Sequence, residues 1–234
     1  MLNLKKSCWL TTVLVLSLAM AAIGAEPKQS QKTDARVMQI LDGLSNRFKD
    51  VRTASGEFVQ VKRSKTFREE SESKGKFWYG KPDQFRCDYK GGDDSEEMTN
   101  LISGNVFYVA LPRYKQLEIY PFDNPQSTKR HLDRILLGFG IATDQILQNY
   151  QVSLLEQTKD EALLRFIPKF EDDYGLEAIL VWLNLESMRP RQLLIKEGED
   201  ETTITIKDFK TNPKIDKDRF EPKFPSDWER IERL

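Results

Sequence analysis

The stretch that most constrains this chain is residues 53–90, TASGEFVQVKRSKTFREESESKGKFWYGKPDQFRCDYK. Three short runs rich in β-branched and aromatic residues follow one another. They are Gly56–Lys62 with Phe58, Val59 and Val61, Lys74–Tyr79 with Phe77, Trp78 and Tyr79, and Gln84–Tyr89 with Phe85, Cys87 and Tyr89. Such runs favour strands, and by period-two alternation Phe77 and Tyr79 share one face of the second run, as Phe85, Cys87 and Tyr89 do of the third. Gly80-Lys81-Pro82-Asp83 reads as the turn between the second and third runs, because proline fixes φ and glycine tolerates unusual dihedrals. The expectation is an antiparallel meander with a continuous aromatic face.

The same strings carry a family resemblance. ASGEFVQV, then GKFWYGKPDQFRCDY, then Asn100-Leu-Ile-Ser-Gly-Asn-Val-Phe-Tyr resemble the outer-membrane lipoprotein carrier (LolA) family in order and spacing, over about Thr33 to Trp228. The resemblance implies a single domain over 33–234, built as an unclosed antiparallel β-barrel under a helical lid. It implies a periplasmic carrier that holds lipoprotein acyl chains in an apolar cavity and takes them to the outer membrane. Its implied partners are acylated lipoproteins, an inner-membrane lipoprotein-releasing transporter and an outer-membrane acceptor, with the carrier a monomer. The alternative is a lipid- or lipoprotein-sensing module of the same fold. The aromatic face makes Phe58, Phe77, Tyr79, Phe85, Tyr89 and Tyr108 the cavity candidates. Lys81 stands where the family has an arginine that latches the lid, and lysine offers a point charge rather than a planar fork.

Residues 1–24 read as an export signal. Lys5 and Lys6 form a positive start, Trp9–Met20 an apolar run, and Ala22-Ile23-Gly24 a small-x-small cleavage site. The expected mature chain starts at Ala25 or Glu26 and lies in the periplasm. Residues 25–32 form a polar, disordered linker. Loss of Lys5 and Lys6 leaves 34 basic residues against 37 acidic ones, a formal charge of −3. That balance gives no nucleic-acid footprint. One cysteine, Cys87, then remains, so no internal disulfide can form.

Next comes an amphipathic helix, capped by Thr33 or Asp34. Val37, Ile40, Leu41, Leu44, Phe48 and Val51 form its apolar stripe; the resemblance makes Leu41 and Leu44 part of the lid. Arg63–Lys74 reads as a charged hairpin connection. Strands are expected at Met98–Ser103, Val106–Leu111 and Gln116–Tyr120. His131–Gly140 carries a helical stripe of Leu132, Ile135, Leu136 and Phe139, placed where the family inserts its lid. A short helix from Thr143 to Tyr150 follows, and then strands at Gln151–Glu156, Glu161–Ile167, Glu177–Leu185, Gln192–Lys196 and Thr202–Phe209. The total is eleven.

No enzyme is expected. The sole histidine, His131, has no nucleophile-elbow motif to serve, and no dinucleotide or phosphate loop is present. One His and one mature-chain Cys cannot form a Cys/His metal set. The acids of 93–97 lack the ligand order of a calcium loop. No cofactor is expected. What remains is an apolar binding role.

Overall fold

A computed structural model describes residues 34–90, 96–122, 143–170 and 175–233. The chain divides into two units, 1–32 and 33–234, and only the second is described below. The expected signal and linker, the helical stripe of Leu132, Ile135, Leu136 and Phe139, His131 and the acidic loop at 91–95 lie outside the described residues.

The core element is a single twelve-stranded sheet that does not close. Its strands are β1 (Thr53–Ser64), β2 (Glu69–Gly80), β3 (Gln84–Lys90), β4 (Glu96–Ser103), β5 (Val106–Leu111), β6 (Gln116–Pro121), β7 (Tyr150–Gln157), β8 (Glu161–Pro168), β9 (Leu176–Asn184), β10 (Arg189–Glu197), β11 (Asp200–Thr211) and β12 (Glu229–Glu232). The order across the sheet is β12-β6-β5-β4-β3-β2-β1-β11-β10-β9-β8-β7. Two meanders, β1 to β6 and β7 to β11, are thus joined through β1 and β11. All pairs are antiparallel except β12, which runs parallel to β6. β12 is the strand missing from the expected eleven: its sequence, ERIE, offers one apolar residue and no alternation to read.

The Arg63–Lys74 stretch is mostly ladder rather than connection. β1 pairs with β2 out to Ser64 and Glu69, and cross-strand ion pairs such as Arg63–Glu70 hold strands that carry no apolar face there. Like residues opposite one another would repel; opposite charges let the hairpin extend beyond the core.

Two glycines admit the aromatic face. Gly56 is paired with Phe77, and Gly75 with Phe58, on adjacent strands. A Cβ on Gly56 would stand 2.7 Å from Phe77 Cε1, and one on Gly75 would strike the Phe58 ring and the Asp88 carbonyl. Each phenylalanine ring therefore lies over the bare backbone of the neighbouring strand.

Helix α1 (Ala35–Phe48) is capped by Asp34, whose Oδ1 accepts the Arg36 N–H at 2.8 Å. It buries Val37, Ile40, Leu41, Leu44 and Phe48, the face set by the sequence stripe. α2 (Thr143–Asn149) packs beside α1 and β7. The opposite, convex face of the sheet has its own cover. Leu101, Ala110 and Leu117 are buried there beneath the closing segment, whose 3-10 turn at Lys217–Phe220 packs on β3 and β4. Arg219 lies 4.5 Å over the Trp78 ring. No helix among the described residues is long and apolar enough to cross a membrane.

Candidate functional site

The concave face is filled at one end and hollow at the other. At the filled end α1 lies against the sheet: Phe48 meets Phe209 edge-on at 5.9 Å, and Phe209 meets Phe77 at 6.1 Å. Phe77 stacks on Phe85 at 6.5 Å. Beyond them a cavity of about 400 Å³ opens between β1–β5 and β9–β11. Its wall is mainly aromatic on one side, with Phe58, Phe77, Phe85, Tyr89 and Phe107. It is aliphatic on the other, with Ile179, Leu193, Ile195, Ile204 and Ile206. Gln60, Lys62, Asn100, Glu197 and Thr202 supply the polar part of the wall.

Four of the six expected cavity residues line this space: Phe58, Phe77, Phe85 and Tyr89. Tyr79 shares their side of the sheet, paired with Phe85, but is 8% exposed within the packed core and does not line the cavity. Tyr108 belongs to the other face. Its neighbour Phe107 lines the cavity, and consecutive strand residues point to opposite sides. Tyr108 instead packs on Phe224 of the closing segment at 5.9 Å. The sequence offered two adjacent aromatics, Phe107 and Tyr108, and only the pairing Ile102↔Phe107 decides between them. The aliphatic wall was not singled out from sequence, although Thr203-Ile204-Thr205-Ile206 signalled it by clean alternation.

Leu41 and Leu44 are 0% and 1% exposed. They cover the filled part of the concave face and do not line the cavity. Lys81 holds that cover. Its Nζ donates to the carbonyls of Lys49 at 3.1 Å and Phe48 at 3.4 Å, and its backbone N–H donates to Arg52 O at 2.9 Å. The Phe48 and Lys49 carbonyls end α1, where the helix leaves acceptors without intrahelical donors and a cation complements the dipole. At the other end of α1, Arg36 Nε donates to Gln157 Oε1 of β7 at 2.9 Å. The helix is tied down at both ends.

The titratable groups of the wall suit an apolar site. Burial pushes the Cys87 thiol well above its usual range, so the nucleophilic thiolate is suppressed. Burial likewise raises the Tyr89 phenol. Its hydroxyl donates to Gln60 Oε1 at 3.2 Å, and its ring meets Phe58 edge-on at 5.1 Å. Asn100 Oδ1 is buried with no hydrogen-bond partner among the described residues. No group of His, Cys, Asp and Glu among them could hold a metal ion. Such a surface can shelter hydrocarbon; it offers no activated nucleophile.

Among solved structures, an uncharacterized conserved protein from Thermus thermophilus is similar at 14% identity and a TM-score of 0.54, over 85% of this chain and 99% of that one. A domain described as an outer membrane lipoprotein-sorting protein, from Vibrio parahaemolyticus, matches at 12% identity and a TM-score of 0.43, over 78% and 95%. The lipoprotein LppX of Mycobacterium tuberculosis matches at 11% and 0.42, over 79% and 99%. A search of curated proteins finds no match. The model of the family described as outer membrane lipoprotein carrier protein LolA matches residues 49–223, three quarters of the sequence and most of the sheet, and the chain belongs to that family.

Proposed function

We propose that the protein is a periplasmic carrier which takes up the acyl chains of lipoproteins and delivers them to the outer membrane, its residues 1–24 being removed on export. The observation that carries this reading is the cavity of about 400 Å³, walled by aromatic and aliphatic side chains on the concave face of an unclosed sheet. The family's binding and carrier character supports it.

The cavity's size sets what it can hold as it stands. At roughly 30 Å³ per water-sized group, it takes about a dozen methylenes, close to one acyl chain. Their transfer from water is worth about 10 kcal/mol gross at ~0.8 kcal/mol each. A cargo with three chains needs more room, so loading it widens the space between the sheet and its cover. Contacts made within the empty carrier then offset contacts to cargo, which keeps binding reversible.

The experiment is transfer of a labelled triacylated lipopeptide from donor vesicles, through a soluble complex with the purified mature protein, to acceptor vesicles. Stoichiometric extraction followed by delivery is expected. Failure to extract the lipopeptide refutes the carrier reading, and tight retention without delivery favours the sensing module instead.

A further inference from the structure

The cavity has a polarity along its length, and this deepens the carrier reading on which it rests. Three neighbouring strands change character in the same direction. Along β1 the cavity residues are Phe58, Gln60 and Lys62; along β11 they are Ile206, Ile204 and Thr202; along β10 they are Leu193, Ile195 and Glu197. β11 runs antiparallel to both of the others, so its sequence runs from polar to apolar while theirs run from apolar to polar. The pairings run from apolar Phe58↔Ile206, through mixed Gln60↔Ile204, to polar Lys62↔Thr202 across β1 and β11. Ile195↔Thr202 and Glu197↔Asp200 place the change on β10 at the same end. A gradient made by three strands of mixed direction belongs to the site and not to one stretch of sequence.

The two ends differ in what they could do for a ligand. At the aromatic end Phe77 and Phe85 form the wall, and behind them Phe209 and Phe48 of α1 close the space. That end is walled by rings, and Asn100, level with Phe77 through Cys87, is the amide of the cavity wall there. At the polar end Lys62 reaches Asp200 at 3.5 Å, Glu197 and Thr202 line the wall, and the Lys62 side chain is 53% exposed. Both signs of charge and a hydroxyl are present beside solvent.

From this we infer that the cavity binds its ligand in one direction. The ligand is a single-headed amphiphile with a hydrogen-bonding ester or amide head. Its tail methyl lies against Phe77 and Phe85, and its head lies between Lys62, Thr202 and Glu197. For a lipoprotein cargo, the peptide leaves the carrier over the β1–β11–β10 end. The reversed pose sets the ester or amide among rings with Asn100 as its one amide neighbour and puts the tail beside charges, which weakens affinity on the order of tenfold.

Two photoreactive probes test the direction. Both are long-chain fatty amides; one carries a diazirine beside the terminal methyl, the other beside the carbonyl. Each is bound to the purified mature protein, irradiated, and the labelled peptides are identified by mass spectrometry. The methyl-end probe is expected to label the β2–β3 peptides around Phe77 and Phe85. The carbonyl-end probe is expected to label the peptides holding Lys62, Glu197 and Thr202. In the Lys62→Leu/Thr202→Val double variant, folded by circular dichroism, the carbonyl-end probe should lose that preference. Equal labelling of both ends by both probes, or a reversed pattern, overturns the direction and leaves the carrier reading intact. Absence of saturable binding by either probe overturns both.

Discussion

Beneath α1, Phe48, Phe77 and Phe209 meet ring to ring. A few residues along the same strands, Phe58, Ile195 and Ile204 surround empty space. The two regions share one sheet and one kind of side chain. They differ in the cover: α1 brings five buried residues to the first, and no described helix does so for the second. Burial against α1 supplies stability, and in the proposed carrier the unfilled region keeps its apolar surface for a ligand. Stability and binding are thus divided along the strands, although the sheet that carries them is continuous.

The sharpest way to break this division is to charge one region and then polarise the other. Leu44, 1% exposed, lies in the packed region. Leu44→Asp combines a lost core side chain with a buried charge and should cost about 3–5 kcal/mol, read as a large fall in the urea midpoint. Ile204 lines the cavity and is half-buried. Ile204→Asn should change the stability by less than about 1 kcal/mol, while weakening binding of a fatty-acid probe roughly tenfold, as expected for one lost aliphatic contact surface. Comparable losses of stability in the two variants would show that the cavity wall is ordinary core.

How α1 is held can be sharpened in the same terms. Lys81 donates to the last carbonyls of α1 from an exposed turn, so its contribution is screened by solvent. Lys81→Leu should lower stability by at most about 1 kcal/mol. Lys81→Arg, which keeps the donors, should restore it. If the cover must shift when cargo loads, the leucine variant also retains more labelled lipopeptide after a fixed time. A loss of stability that arginine does not restore would assign the effect to packing of the lysine stem and not to its hydrogen bonds.

Much of this was legible in the sequence, and the exceptions have physical reasons. The meander could be read because Phe77, Trp78 and Tyr79 form an aromatic run, Phe85, Cys87 and Tyr89 alternate with polar residues, and Gly80-Lys81-Pro82-Asp83 separates the two. The α1 stripe could be read because 3.6-residue spacing is explicit from Val37 to Phe48. Tyr108 was misplaced because two aromatics stand side by side and register alone orients them. The length of β1 and β2 was missed because cross-strand charge pairs such as Arg63–Glu70 leave no hydrophobic trace. Leu193 and Ile195 were hidden by Leu194 between them, which removes the alternation. β12 was invisible because it is recruited by a distant edge strand and not by its own composition.

That recruited strand gives the smallest expected effect, and it tests whether the sheet edge contributes to either region. Glu118 of β6 accepts from the Tyr120 hydroxyl at 2.6 Å and from Arg233 at 2.7 Å. The tyrosine hydrogen bond first, and the arginine second, hold its carboxyl below the usual carboxylate range. Arg233, just past β12, also donates its backbone N–H to Ile119 O at 2.9 Å. A carboxyl whose pKa is depressed in the fold stabilises the fold above its unfolded value of about 4.3; that contribution is lost as pH falls through the lower, folded value. Acid should therefore free β12 from β6 before the body of the sheet unfolds. Protection of Ile231 and Arg233 against hydrogen exchange should fall below about pH 4, whereas the amides of β1 and β11 stay protected. In Glu118→Gln the carboxylate is gone, so protection of these two amides should already be low at neutral pH and nearly independent of pH. Unchanged protection of Ile231 and Arg233 in that variant would mean that the four-residue ladder holds β12 without the ion pair. A fall in the global midpoint alongside the local release would mean that the edge strand supports the packed region, and the division between the two regions would then not be complete.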